Sequence, residues 1–306
     1  MLKHFLFVSF LFLGNLAFAQ LAPNPMIEEN AVIQLGEYTY GISDNNIGGV
    51  PNVGIVIGEL ATLIIDPGMG RQNGEIVLRE AQRLSDNTQF YIVSTHYHPE
   101  HTTGYIAFPE SAIYINSTTQ ENEFTENGQR MIDLFSGFSP KMGELLADAQ
   151  RRVANIIFDR TISINLGGVT VNLEVVGPTH TIGDTGIFVL EDRVLFTGDV
   201  VMNNSFLAAT PGSSISAWLK AFDTFDALEP VVIVPAHGEI GDGSLIGMQR
   251  EIVAGIRDET LRLKAQGQSA DAVADAISTS LSAEHPDWPR ANGIASLARS
   301  AWEESE

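Results

Sequence analysis

Three histidines and a glutamate fall within six consecutive positions, His96-Tyr97-His98-Pro99-Glu100-His101. Imidazole nitrogen and carboxylate oxygen at this density suit a divalent metal, zinc first, and they also suit iron or manganese. A lone histidine beyond a strand is ordinarily a solvated loop residue, but four donors at this spacing fit that bland alternative poorly. In an extended segment His96 and His98 project to one side, and a tight turn at Pro99 would swing Glu100 and His101 round beside them.

Further donors arrive singly, each directly after an apolar run: His180 in Gly177-Pro178-Thr179-His180-Thr181, Asp199 in Thr197-Gly198-Asp199, and His237 in Val234-Pro235-Ala236-His237-Gly238. Asp66, in Asp66-Pro67-Gly68, closes another apolar run and by itself reads as a turn residue. Of the seven histidines, His4 lies in the N-terminal apolar segment and His285 in the C-terminal tail. The other five all sit just beyond expected strands, which packing alone does not produce.

The elements that must carry these groups alternate. Short β-type runs at 38–42, 53–57 and 60–65 are followed by a helical period over 75–84 and a strand at 90–93 that ends at the histidine cluster. A short helix at 104–108 and a strand at 112–115 come next. Residues 117–160 then turn polar and helix-prone, with Phe124, Met131, Leu134, Phe135, Phe138, Met142, Leu145, Leu146 and Ala149 recurring at threes and fours. They predict an insert of two amphipathic helices broken near 137–140, packed against the body; the alternative is a lid over the site. Strands follow at 161–164, 169–176, 186–190 and 193–196, then a helix at 214–228 capped by Ser213 or Ser214, and a strand at 231–234. Helices at 245–265 and 270–281 and a tail at 286–302, whose Trp288 and Trp302 are expected to pack against the body, complete the chain.

Residues 1–19 combine Lys3, an apolar run from 5 to 18 and Ala17-Phe18-Ala19, the pattern of a secretory signal peptide. The run is too short to span a bilayer. The remainder, 20–306, is expected to be a single domain, soluble and exported to a periplasm or secreted. With no cysteine there is neither a disulfide nor a thiolate nucleophile. A formal charge of −21 repels phosphate backbones and anionic lipid, so a small-molecule substrate is expected and nucleic acid is not.

His-x-His-x-Glu-His followed by His180, Asp199 and His237, with Asp66-Pro67-Gly68 upstream, resembles the ordered motifs of the metallo-β-lactamase superfamily over roughly residues 31–237. The resemblance implies an α/β (α+β) fold, a four-layer αββα sandwich of two mixed β-sheets flanked by helices, with metals at one edge. It implies two divalent ions: His96, His98 and His180 as ligands of the first, Glu100, His101 and His237 as ligands of the second, and Asp199 between them. Asp66 would stand behind the ligands. Glu100 departs from the aspartate common at its position, and its extra methylene puts the second site's geometry in question. Metal-assisted hydrolysis of an ester, thioester, lactone or lactam bond is the implied chemistry, with Glu100 and Asp199 catalytic. An iron-dependent oxidoreductase of the same fold, or a metal-binding accessory protein with little turnover, are the alternatives.

Overall fold

Strands buried on both faces read as unbroken apolar runs, and that is how the centre of this chain is built. The structure, a computed structural model, describes residues 24–305, so the expected signal peptide at 1–19 lies outside it. A seven-stranded sheet runs in the order β1 (Val32–Gln34), β2 (Thr39–Ile42), β3 (Val53–Ile57), β4 (Thr62–Ile65), β5 (Phe90–Val93), β6 (Ile113–Ser117), β7 (Ile156–Phe158). The pairs from β1 to β4 are antiparallel, and those from β4 to β7 parallel. A five-stranded sheet has the order β12 (Val232–Pro235), β11 (Val194–Gly198), β10 (Thr185–Val189), β9 (Thr170–Val175), β8 (Thr161–Asn165). Only β11 and β12 are parallel there.

Period-two alternation assigns each side chain to a layer. Val56, Leu63, Ile65 and Val93 meet Leu173, Ile187 and Phe196 in the core between the sheets. Their neighbours Val53, Ile55, Ile64 and Ile92 point the other way, onto Ile76, Val77 and Ala81 of helix α1 (Gly70–Leu84). Behind the second sheet, Phe188 and Leu195 pack with α5 (Ile215–Ala227), α6 (Ser244–Ala265), α7 (Ala270–Glu284) and α8 (Asn292–Glu304). The result is helix, sheet, sheet, helix, the four-layer sandwich expected.

Several elements differ from the sequence-based expectation. Helix α1 begins five residues before 75, because Gly70 and Gly74 hide its first turns from any apolar period. Pro99 does not make a tight turn; it opens a one-turn helix, α2 (Pro99–Thr102), at the position where its missing N–H costs nothing, and a 3-10 turn at Thr103–Ala107 follows. The 117–160 insert is helical only in α3 (Thr118–Ser136) and α4 (Pro140–Leu145), and its end returns to the sheet as β7. The tail beyond 286 forms α8, with Trp288 and Trp302 packed on the C-terminal helices as expected.

The insert is packed onto the body. Ser117 caps α3, accepting from the Gln120 amide at 3.1 Å, and the Gln120 side chain donates to the Ser94 carbonyl at 3.3 Å. Phe124 and Met131 cover Tyr97, while Met142, Leu145 and Leu146 close around Met69.

Candidate metal centre

β4 and β5 are parallel, as are β11 and β12, and β9 shares the direction of β11, so the loops after all five strands open at one edge of the sandwich. Asp66, the 96–101 cluster, His180, Asp199 and His237 occupy those five loops. All are buried except His237, which is half-buried.

Two groups of donors form, and a third set of Asp199 with His96 and His101 joins them. His96 Nε2 lies 3.0 Å from His98 Nδ1, and His180 Nε2 lies 3.3 Å from the same atom. His101 Nε2 is 3.7 Å from Glu100 Oε1, and His237 completes that set, whose donor atoms all lie within 4.8 Å of one another. Asp199 turns Oδ2 toward His180 Nε2 at 3.5 Å and Oδ1 toward His237 Nε2 at 3.7 Å. The longer side chain of Glu100 therefore reaches its group.

The outer nitrogens decide which inner nitrogens carry lone pairs. His180 Nδ1 lies 2.6 Å from the Ala208 carbonyl, and His237 Nδ1 lies 2.9 Å from the Val50 carbonyl. A carbonyl only accepts, so each Nδ1 carries the proton and each Nε2 faces the site as a lone pair. Likewise His101 Nδ1 donates to Asp66 Oδ2 at 3.0 Å. Such outward hydrogen bonds are what metal-ligating histidines make. Among the described residues, the inward atoms His101 Nε2, Asp199 Oδ1 and Glu100 Oε2 are buried with no hydrogen-bond partner. Lone pairs crowded together and left unpaired in the interior are costly, and a cation among them removes the cost. The donor set fits divalent metal.

Electrostatics agree. Burial holds His96, His98, His101 and His237 below the usual imidazole range, keeping them neutral. Burial also pushes the Glu100 carboxyl up to about 8 and Asp66 up to about 7. For Asp199 burial acts the same way and is the largest single influence, but the Arg290 guanidinium together with His180, His237 and His96 outweighs it and holds this carboxyl well below the usual range.

The loops are built for these positions. Asp66 has φ 54, a left-handed conformation that turns its carboxylate under Thr95, whose amide and hydroxyl donate at 2.7 and 2.8 Å. Gly198, at φ 58, breaks the β11 register just before Asp199, and a Cβ there would come within 2.8 Å of Thr95 Cβ. Beside His180, Asp184 accepts from Thr179, from the Thr181 amide at 2.8 Å and from the Thr181 hydroxyl at 2.6 Å.

Three contributors escaped the sequence analysis. Glu123 of α3 accepts the amides of Ile182 at 3.0 Å and Gly183 at 2.7 Å, tying the insert to the His180 loop. Asp44 accepts from the Gly238 amide at 2.9 Å, beside His237. Arg290, in the tail, pairs with Asp199 Oδ2 at 2.9 Å. Each is a single charged residue in a polar stretch, and nothing local in the sequence marks it.

Residues 46–237 match the family model described as Metallo-beta-lactamase superfamily. The chain belongs to that superfamily. A linear primary-alkylsulfatase from Pseudomonas sp. is 24% identical over 253 residues, covering 70% of this chain and 47% of that protein. The chain thus spans about half the length of this curated relative. Among solved structures, the stereoselective inverting sec-alkylsulfatase of Pseudomonas sp. superposes with a TM-score of 0.66 at 13% identity, over 90% of this chain and 50% of that one. A metallo-beta-lactamase from Pontibacter korlensis superposes with a TM-score of 0.61 at 18% identity, over 75% of this chain and 99% of its own. At such identities the two structures establish a shared fold.

Proposed function

We propose that this superfamily member is an exported hydrolase that uses two divalent ions, most simply zinc, to cleave a small-molecule ester, and that the ester is the sulfate of an aliphatic alcohol. His96, His98 and His180 would hold one ion, Glu100, His101 and His237 the other, and Asp199 both. When bound, the ions supply Lewis-acid polarisation of the ester and acidification of water.

The rest falls to the chain's own groups. The outward hydrogen bonds of His101, His180 and His237 keep the inner nitrogens deprotonated and fixed in direction. Glu100 Oε2, without a partner, is the acceptor available to orient a water toward the cavity. Asp199 keeps its charge and holds the two donor groups in register.

The observation that carries the substrate class is the make-up of one cavity of about 510 Å³, with Glu100 and His237 on one side and Phe135, Phe138 and Met142 on the other. Polar chemistry sits against a flexible apolar wall supplied by α3, α4 and the turn between them, which suits an ester with an aliphatic chain. The two alkylsulfatases among the similar proteins support the sulfate. Export is supported by the pattern at 1–19, and a small substrate rather than nucleic acid by the acidic balance of 38 carboxylates to 17 bases.

Metal analysis of protein purified without added metal, joined to a panel of octyl sulfate, a carboxylic ester, a thioester, a lactone and a β-lactam, tests the proposal. Turnover of octyl sulfate that depends on two equivalents of zinc is expected, and His96→Ala should abolish it. Turnover of another panel member alone would displace the sulfate. Stoichiometric iron without hydrolysis of any member would favour oxidation.

A further inference from the structure

We propose that Arg290 is the residue that selects an anionic substrate, holding the oxygens of the sulfate group while the aliphatic chain lies along Phe135, Phe138 and Met142. This rests on the alkyl sulfate reading above, but it concerns a residue outside the superfamily match, which ends at 237.

Arg290 is the one lysine or arginine among the residues lining the cavity. In a chain with 38 acidic and 17 basic side chains, a guanidinium at that place is not a product of composition. The other charged lining groups are accounted for. Asp44 is buried and accepts from the Asn46 and Gly238 amides, and Glu100 belongs to the donor set. Glu239 and Asp287 are exposed at the mouth.

The guanidinium is held at one edge and open at the other. Nη2 donates to Asp199 Oδ2 at 2.9 Å, which anchors it beside both donor groups. Among the described residues, Nε and Nη1 have no hydrogen-bond partner, although the side chain is only 30% exposed. A partly buried guanidinium with donors to spare is suited to a planar pair of oxyanion oxygens.

Its backbone is fixed for the purpose. Arg290 sits at φ 66, a conformation that a side chain with a Cβ adopts at a cost and that persists where the surroundings impose it. The surroundings do so: the Pro289 carbonyl accepts from the Phe206 amide at 3.3 Å, and the Arg290 carbonyl accepts from the Gly293 amide at 2.7 Å. Trp288 stacks on His285 at 4.2 Å and packs against Phe206 at 5.3 Å. The loop between α7 and α8 thereby delivers a guanidinium to the cavity.

The test uses metal-loaded full-length protein, with octane sulfonate as an uncleavable probe in calorimetry, octyl sulfate as substrate, and metal content measured alongside. Arg290→Gln should weaken octane sulfonate binding by about 10- to 100-fold, the range for a lost hydrogen-bonded charge contact, with two metals retained. KM for octyl sulfate should rise in step, and Arg290→Lys should fall between, keeping charge and losing the fork. Unchanged sulfonate affinity in Arg290→Gln overturns the inference. Loss of metal in that variant also overturns it, since Arg290 would then serve only as a counter-ion to Asp199. If Arg290→Gln does not melt cooperatively, Arg290→Lys decides, and wild-type affinity in it overturns the inference. Wild-type protein that binds octane sulfonate through Arg290 yet leaves octyl sulfate intact would sustain the anion site while removing the sulfatase reading.

Discussion

Asp66 Oδ2 accepts a hydrogen bond from His101 Nδ1 at 3.0 Å, with the two side chains 35 positions apart and both buried. The carboxylate is itself held by two donors from Thr95, so the pair is a fixed strut between the ends of β4 and β5. It keeps the His101 proton on the outer nitrogen and leaves Nε2 bare toward Glu100 and His237. Asp66→Asn should break that arrangement without changing side-chain volume. With the amide oxygen still accepting from Thr95, the amide nitrogen would face the His101 N–H, donor against donor, and the proton would move to Nε2. Metal affinity, read by competition with a chelator, is expected to fall about 10- to 100-fold. Unchanged affinity would show that the strut serves packing alone.

The buried carboxyls give the metal-free protein a pH dependence whose sign can be worked out. Asp66, Glu100 and Glu123 are raised by burial to about 7, about 8 and about 7. The stability tied to their protonation is fully present below their unfolded values near 4 and is lost as pH rises through 7 to 8. The buried histidines are lowered, so their contribution is lost as pH falls below about 6.5 and is constant above it. Between pH 6.5 and 8 only the carboxyls act, and the melting temperature of chelator-treated protein should drop over that interval. Metal-loaded protein should show a smaller drop, because Glu100 as a ligand would bind deprotonated while Asp66 and Glu123, outside the donor groups, still titrate. A flat profile in the metal-free form would contradict the burial of these charges.

Glu123 offers a test of how the helical insert serves the site. Its two oxygens accept the Ile182 and Gly183 amides, and Gly183 lies so close to α3 that a Cβ would come within 2.8 Å of the Gln120 backbone. The insert thus fixes the loop that carries His180. Glu123→Ala should leave the buried Gly183 amide and the part-buried Ile182 amide unpaired and loosen that loop, costing about 1 to 3 kcal/mol of stability. The first metal should weaken with it, while the second is held as before. Equal weakening of both ions, followed by calorimetric titration, would point to general destabilisation.

The side chains that the structure gathers at one edge were conspicuous in the sequence because they lie beyond strands, four of which are buried on both faces and read as apolar runs, while β9, ahead of His180, alternates. The two-sheet architecture was legible for the same reason. What escaped was set by tertiary contacts. β7 is three residues long, and its Ile156 and Ile157 are exposed, so nothing periodic sets it apart from the insert. Asp44, Glu123 and Arg290 act across 194, 60 and 91 positions of chain, onto Gly238, Gly183 and Asp199. No local pattern encodes a partner at such a distance. Pro99 shows the opposite case, a residue read as a turn that starts a helix, since both uses need the same φ.

Phe135 provides a direct probe of the apolar wall. It lies 5.9 Å from the His98 ring, centroid to centroid, on the last turn of α3. Phe135→Ala should raise KM for octyl sulfate more than for ethyl sulfate, since each methylene removed from water is worth about 0.8 kcal/mol. Because Phe135 is half-buried rather than in the core, melting should change little. An equal effect on both chain lengths would move the aliphatic subsite elsewhere.

Glu100 carries the remaining prediction. It stands where an aspartate is the commoner residue, and its longer chain still brings the carboxylate to His101 and His237. Position explains the reach: Pro99 starts α2 one residue earlier, so Glu100 emerges from the first helical turn, with Oε1 directed at His101 Nε2 and Oε2 unpartnered. Burial makes an uncompensated charge here unfavourable, so a metal ion held among the donors would be what keeps Glu100 ionised near neutral pH. Glu100→Gln removes that charge and leaves shape and volume almost unchanged. The second ion should then bind much more weakly while the first, held by three histidines, binds as before. Calorimetric titration of metal into metal-free wild type and Glu100→Gln should show two phases in the first and loss of the weaker phase in the second. Glu100→Asp tests reach separately, since the carboxylate would retreat by about 1.5 Å, far beyond the roughly 0.2 Å tolerance of a metal-ligand bond. If Glu100→Gln and wild type gave superimposable isotherms, Glu100 would hold no metal, and the second group of donors would reduce to its two histidines and Asp199.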